Sequence, residues 1–244
     1  MERLKILSRR FIDIAYLFRT PIRFKRKILF LLKSIFYHDC VHWEIFTRNI
    51  YYFEADNLSP TIIDCGANVG LATAYFKEIY PKSTIYSFEP NKENFKKLKS
   101  LASKYTNVNI FKNAVGKNEK LRKLYGDYSK TFSLYNVGPF KETVKVIKLS
   151  KFMKEKNLEA DFLKIDIEGA ETDVLEDLDQ ARMLRHVKQM TVEYHHKMYK
   201  ELSKLSVLLN ILEKNGFEYQ LNSFCVPIGS KNKQQCVLIY AYRK

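Results

Sequence analysis

The sequence has no CxxC pair, no apolar run of membrane-spanning length, no fixed-period repeat and no low-complexity tract in its 244 residues. Its four cysteines, Cys40, Cys65, Cys225 and Cys236, stand far apart. With no small-residue cleavage site near the start, they read as reduced, mostly buried thiols of a cytosolic protein. The apolar run Ile28 to Leu32 is broken by Lys33 and falls far short of the ~20 residues a membrane helix needs. Acidic residues are the scarce charge, 27 against 42 lysines and arginines, which leaves a net +15. That balance suits a nucleic acid, an anionic membrane or an acidic substrate, and equally a plain lysine-rich surface. His38, Cys40 and His42 alternate as on one strand face, but a fourth ligand is missing, so no metal site is expected.

A 46% apolar fraction with many Phe and Tyr residues is enough for a packed core. Residues 1–40 form a separate basic segment. Leu4, Ile6, Leu7, Phe11, Ile14, Leu17 and Phe18 recur at helical spacing, Thr20-Pro21 interrupts, and Arg23, Lys25, Arg26 and Lys27 precede a second helical stretch. Two readings fit: an extension that covers the core, or an amphipathic pair in which residues 1–37 lie on an anionic membrane. The expected location is the cytoplasm, with the inner membrane face as the second address.

From residue 41 to 244 the pattern is one domain. Aromatic and β-branched residues from Val41 to Phe53 predict two short strands. Strand Thr61–Cys65 then leads into a helix from Gly70, strand Thr84–Phe88 into a helix from Lys92, and strand Val108–Lys112 into an inserted hairpin with arms Leu121–Tyr125 and Thr143–Leu149. Strand Asp161–Ile165, a helix from Glu171, strand Gln189–Glu193, a helix over 199–215 and two successive strands, Phe217–Leu221 and Gln235–Tyr242, complete the chain. Alternation of this kind predicts an α/β doubly wound, mainly parallel sheet, and the final pair adds an antiparallel strand, the layout of class I (Rossmann-like) methyltransferases. Ligands on such sheets bind beyond the carboxyl ends of the strands, where strand order reverses.

The motifs fall at those ends. After the first strand comes Asp64-Cys65-Gly66-Ala67-Asn68-Val69-Gly70. Its small residues, Gly66, Ala67 and Gly70, let the backbone pass close to a ligand, and the next helix offers its N-terminal amides to a carboxylate. Asp64 is placed to accept from an amino group. Asn68 and Leu71 occupy the second and third positions of G-x-G-x-x-G, which argues against a dinucleotide and for S-adenosylmethionine. Glu89, ending the second strand, suits both hydroxyls of a ribose, and Asn113 and Ala114 could border an adenine. After the fourth strand stand Asp166, Glu168 and Glu171, and after the fifth Glu193-Tyr194-His195-His196. A carboxylate and a histidine facing one cleft can orient a hydroxyl and remove its proton. His195 is the first choice as base, with Asp166 or Glu168 orienting the hydroxyl or replacing it in that task, while Glu171 reads as a cap or a solvent-facing residue.

With these five segments in order, the chain from about Tyr51 onward resembles the FkbM family of S-adenosylmethionine-dependent methyltransferases. The resemblance implies methyl transfer to oxygen, often on the sugar hydroxyl of a polyketide, glycolipid or surface glycan. It marks Asp64, Gly66, Asn68, Gly70 and Glu89 for the cofactor, and Asp166, Glu168 and His195 for the space between cofactor and acceptor. One departure is visible: Leu149-Ser150-Lys151-Phe152 stands where such sequences read Leu-Asp-Asp-Leu, with Ser150 expected to cap the following helix. The charge suggests an RNA methyltransferase, but this chain lacks, after the fourth strand, the Pro-Pro-aromatic turn used for exocyclic base nitrogens. A non-catalytic membrane scaffold would have no use for intact Asp64, Glu89 and Asp166.

Overall fold

The computed structural model describes residues 41–126, 132–135, 138–196, 205–223 and 235–243. The expected helical extension over 1–40 lies outside them, with His38, Cys40 and Cys225. Strand β1, Thr61–Cys65, lies inside a seven-stranded sheet of order β10-β11-β9-β8-β1-β2-β3. On one side of it lie β2 (Thr84–Phe88) and β3 (Val108–Phe111); on the other lie β8 (Ala160–Ile165) and β9 (Val187–His196), all parallel. The last strand, β11 (Gln235–Tyr242), runs antiparallel between β9 and β10 (Glu218–Ser223). The doubly wound sheet with its antiparallel C-terminal strand is therefore present, and strand order reverses between β1 and β8.

Alternation along β1 and β8 divides the core. Ile62 and Phe162 point to one face, where Tyr75 and Phe76 of helix α1 (Leu71–Ile79) pack with Phe53, whose ring stacks on Phe162 at 4.3 Å. Ile63, Leu163 and Ile165 point to the other, against Val174, Leu175 and Leu178 of α4 (Glu171–Gln180). Strands buried on both faces read as near-continuous apolar runs, as these do. Helix α2 (Lys92–Ala102) is started by Asn91, whose side chain accepts from the Glu93 and Asn94 amides.

The insertion is a second sheet in which β5 (Lys120–Gly126) and β7 (Phe140–Ile147) are the antiparallel arms, with β4 (Ala114–Val115) beside β7 and β6 (Phe132–Ser133) beside β5. Residues 41–46 are helical, not strands. Aromatic and β-branched composition suggested strands there, but Ile45, Ile50, Tyr51 and Phe53 are buried against α1, and that packing decides the local structure. Helix α3 (Leu149–Glu155) corrects a second expectation. Its cap position is Lys148; Ser150 sits inside the helix, where its amide and hydroxyl both donate to the buried carboxylate of Asp177 at 2.9 and 2.8 Å. Ser150 thus fastens α3 to α4. Among the described residues no helix is long and apolar enough to cross a membrane.

Candidate active site

A cavity of about 220 Å³ opens at the carboxyl ends of β1 and β8. Gly66, Ala67 and Asn68 form one wall; Asp166, Ile167 and Glu168 form another; Val41, Glu44, Ile45 and Tyr51 close it from the N-terminal side. Two features make the first wall a cradle. Gly66 has φ +84°, and a Cβ on it would lie 1.8 Å from the Asp166 carbonyl oxygen, so only glycine lets the two turns touch. Helix α1 begins at Gly70 (φ 98°) with no side-chain cap and no acid in its first turn, so its amide end remains available to a ligand carboxylate.

Glu89 is 5% exposed, and its two oxygens accept from the amides of Asn68 and Asn91, each at 2.8 Å. It locks the β1 turn to the start of α2. Burial pushes its carboxyl up to about 7 against the pull of those two hydrogen bonds. Asp64 does not reach the cavity. It is fully buried, accepts from Thr73 Oγ1 at 3.0 Å, and its other oxygen is 3.2 Å from Lys164 Nζ, an ion pair without hydrogen-bond alignment. Ala114 lines the cavity, but Asn113 turns away, donating to the Lys145 carbonyl at 3.4 Å and so tying β4 (Ala114–Val115) to β7. Asn113, expected to border an adenine, is thus not among the residues that line the cavity.

Lys164 was not anticipated, although a lysine inside a buried parallel strand is itself a signal. Its ammonium reaches the Gly66 and Cys65 carbonyls at 3.0 and 3.4 Å, Asp64 at 3.2 Å and Asp166 at 3.5 Å, and lies 5.2 Å from the centre of the Tyr51 ring. Burial opposes its charge, but Asp64 and Asp166 outweigh burial and raise its pKa. It carries a fixed positive charge that ties the two ligand turns together.

The acidic side of the cavity is a connected network. Tyr51 donates to Asp166 and lies within 3.2 Å of Glu193 as well, and Cys236 donates to Glu193 at 3.1 Å. Glu168 occupies a left-handed conformation (φ 56°) before Gly169 (φ 109°), a strain of about 1 kcal/mol or more for a residue with a Cβ. It is held there by Ser133 of β6 (Phe132–Ser133), whose hydroxyl donates to the Glu168 carbonyl at 2.6 Å. Behind Glu168 lies His195, with Nε2 3.2 Å from Glu168 Oε2 and Nδ1 2.9 Å from Glu171 Oε1. Glu171, read from the sequence as a cap or solvent residue, is 1% exposed. Burial disfavours the imidazolium, yet Glu171 and Glu168 reverse that and raise the His195 pKa. Burial likewise raises Glu168, opposed by His195, so the pair holds a proton near neutrality.

Asp166, Glu168 and His195 are thus brought together as expected, but the cavity wall is formed by the two carboxylates and not by the imidazole. Their ligand atoms lie within 4.8 Å of one another, close enough to share a divalent ion. Each already has a partner, however: Asp166 has Tyr51 and Lys164, and Glu168 and His195 have one another.

This arrangement of turns and acids agrees with what comparison shows. Residues 64–219 match the methyltransferase FkbM domain. The chain belongs to the FkbM methyltransferase family. "Methyltransferase 1" of Beauveria bassiana is 31% identical over 166 residues, covering 57% of this chain and 66% of that protein. "Methyltransferase sdnD" of Sordaria araneosa is 28% identical over 177 residues, covering 57% and 68%. The chain therefore spans about two thirds of these relatives. A solved FkbM methyltransferase from Methylobacillus flagellatus shares the fold at a TM-score of 0.56 with 17% identity, covering 82% of this chain and 48% of that one.

Proposed function

We propose that this FkbM methyltransferase takes its methyl group from S-adenosylmethionine and delivers it to a hydroxyl of a sugar, glycolipid or surface glycan. The observation that carries this reading is one cavity with a glycine-lined turn and uncapped helix start on one wall and Asp166 and Glu168 on the other. An amino acid carboxylate suits the free amides at the start of α1. Glu89 holds the turn, and the cavity edge beside it at Pro90 suits a ribose.

When bound, S-adenosylmethionine supplies a methyl group on a sulfonium: the O–CH3 bond forms as the C–S bond breaks, and the electron pair stays on sulfur. The chain's residues align the acceptor and exclude water. Glu168, facing the cavity with a raised pKa, takes the hydroxyl proton, and the His195 imidazolium behind it favours the ionised form that can do so. Asp166, anchored by Tyr51 and Lys164, orients the hydroxyl. This moves the base from His195, the sequence-based choice, to the carboxylate in front of it.

The wall carboxylates Glu44, Asp166, Glu168 and Glu193 outnumber the one wall lysine, Lys164, and give the cavity an acidic lining within a chain of net charge +15, which favours a neutral polyol over a phosphate-bearing nucleic acid at the site itself. The test is transfer of labelled methyl from S-adenosylmethionine to fractionated cell glycans, glycolipids and RNA, with calorimetry for cofactor binding. Label in glycan or glycolipid supports the reading; label in RNA alone, or absence of cofactor binding, overturns it. Residues 1–37 are proposed to bring the enzyme to anionic membranes. Equal partition of full-length and truncated protein onto anionic vesicles would remove that part.

A further inference from the structure

Glu171 is a buried carboxylate to which the reading above gives no task. It stands at the first position of α4, 1% exposed, with Oε1 accepting from the Gly169 amide at 2.8 Å and lying 2.9 Å from His195 Nδ1. A first-turn acid serves a helix equally well from an exposed position. Burying it costs several kcal/mol unless it is paired, and here the pair is the imidazole that backs the cavity carboxylate. The three side chains form a line from cavity to core: Glu168, His195, Glu171.

We propose that Glu171 is a positioning residue that holds the His195 proton on Nδ1, so that Nε2 faces Glu168 and backs the group that receives the acceptor's proton. The inference rests on the proposed role of Glu168. An ionised carboxylate accepts only, so with Glu171 at Nδ1 and Glu168 at Nε2 both ring nitrogens donate in the imidazolium; Glu171, buried and fixed by the Gly169 amide, keeps the Nδ1 proton, and Nε2 is the nitrogen that gains and loses one. Before the acceptor's proton arrives, the His195 imidazolium, balanced by Glu171 behind it, favours the ionised form of Glu168 that can receive that proton. Other groups face His195 as well. Asp166 comes from the turn after β8, Glu193 from its own strand, and Cys236 from the opposite position on β11; Lys164 lies beyond Asp166. Of these, only Glu171 and Glu168 lie in direct contact with its ring nitrogens among the described residues.

The test is two-bond proton–nitrogen NMR of the full chain labelled in histidine, with His195→Gln to assign the signal. In the wild type, raising the pH should remove the proton from Nε2 and leave Nδ1 protonated; loss from Nδ1 first overturns the proposal without any need for a variant. Glu171→Gln preserves size and one acceptor oxygen but removes the charge. It should lower the His195 midpoint by about one pH unit or more and raise the fraction of the other tautomer. An unchanged midpoint and tautomer in folded Glu171→Gln also overturns it, and so does a change of equal size on Asp173→Asn, an acid of the same helix turn that does not touch His195. Failure of labelled methyl transfer by the wild type, with this NMR result intact, would remove the acceptor reading and leave the Glu171–His195 geometry standing.

Discussion

Replacing Lys164 with methionine tests whether the two ligand turns are joined by a buried charge. At 3.2 Å from Asp64, and with an effective dielectric near 20, the attraction is about 5 kcal/mol. Desolvation of both groups offsets much of that, so the pair adds little net stability over an apolar pair of the same shape. Removing one partner is different. Lys164→Met leaves Asp64 fully buried with only the Thr73 hydroxyl, at an expected cost of about 3–5 kcal/mol. It also deprives the Gly66 and Cys65 carbonyls of a donor. Asp64→Asn removes the stranded charge, so the double variant should recover about 2 kcal/mol or more relative to the sum of the single changes. Urea unfolding of the four proteins gives the cycle, and calorimetry with S-adenosylmethionine gives the functional counterpart. Affinity should fall with Lys164→Met even in the double variant, because the Gly66 turn has lost its tie. A cost below about 1 kcal/mol, or additive effects, would show that Asp64 and Lys164 do not act as a pair.

Other outcomes follow from the same geometry. Glu168→Gln should slow methyl transfer by about 10²–10⁴ with S-adenosylmethionine affinity unchanged, measured by labelled transfer and calorimetry. Glu89 ionises at about 7 when folded, against 4.5 as a free side chain. Its contribution is full below pH 4.5 and is lost as pH rises towards 7, by about 3 kcal/mol. The unliganded protein should therefore lose stability over that window, and Glu89→Gln should lose correspondingly less when both are unfolded with urea at each pH. Asn113→Ala should leave cofactor affinity within about twofold, since the amide faces Lys145; a tenfold loss would restore its adenine role. Removal of divalent ions with a chelator should leave transfer unchanged, and loss restored by added Mg2+ or Mn2+ would make Asp166, Glu168 and His195 ligands.

The parallel strands, the Asp64–Gly70 turn and the grouping of Asp166, Glu168 and His195 were legible because each depends on local spacing at a strand end. Their surroundings depend on packing between segments far apart in sequence. Tyr51 reaches Asp166 and Glu193 across 115 and 142 positions, and no periodicity marks such a contact. The 41–46 segment was misread because its side chains suit a strand, while burial against α1 favours a helix. Glu171 was misread because a first-turn acid usually faces water, and the one feature that draws it inward, the imidazole on β9, lies in another element. Ser150 looked like a cap for a similar reason: the carboxylate that engages it belongs to α4.

The position of β11 has a consequence for the order in which the molecule can mature. β9, which carries Glu193 and His195, is paired on one side by β8 and on the other by residues 235–242. During synthesis that flank stays an unsatisfied ribbon edge after the β1–β2–β3 half has everything it needs to pair. The cofactor cradle can therefore assemble early, whereas the proton-handling half waits for the final strand to thread between β9 and β10. Until that strand is in place, the open β9 edge is exposed to mispairing.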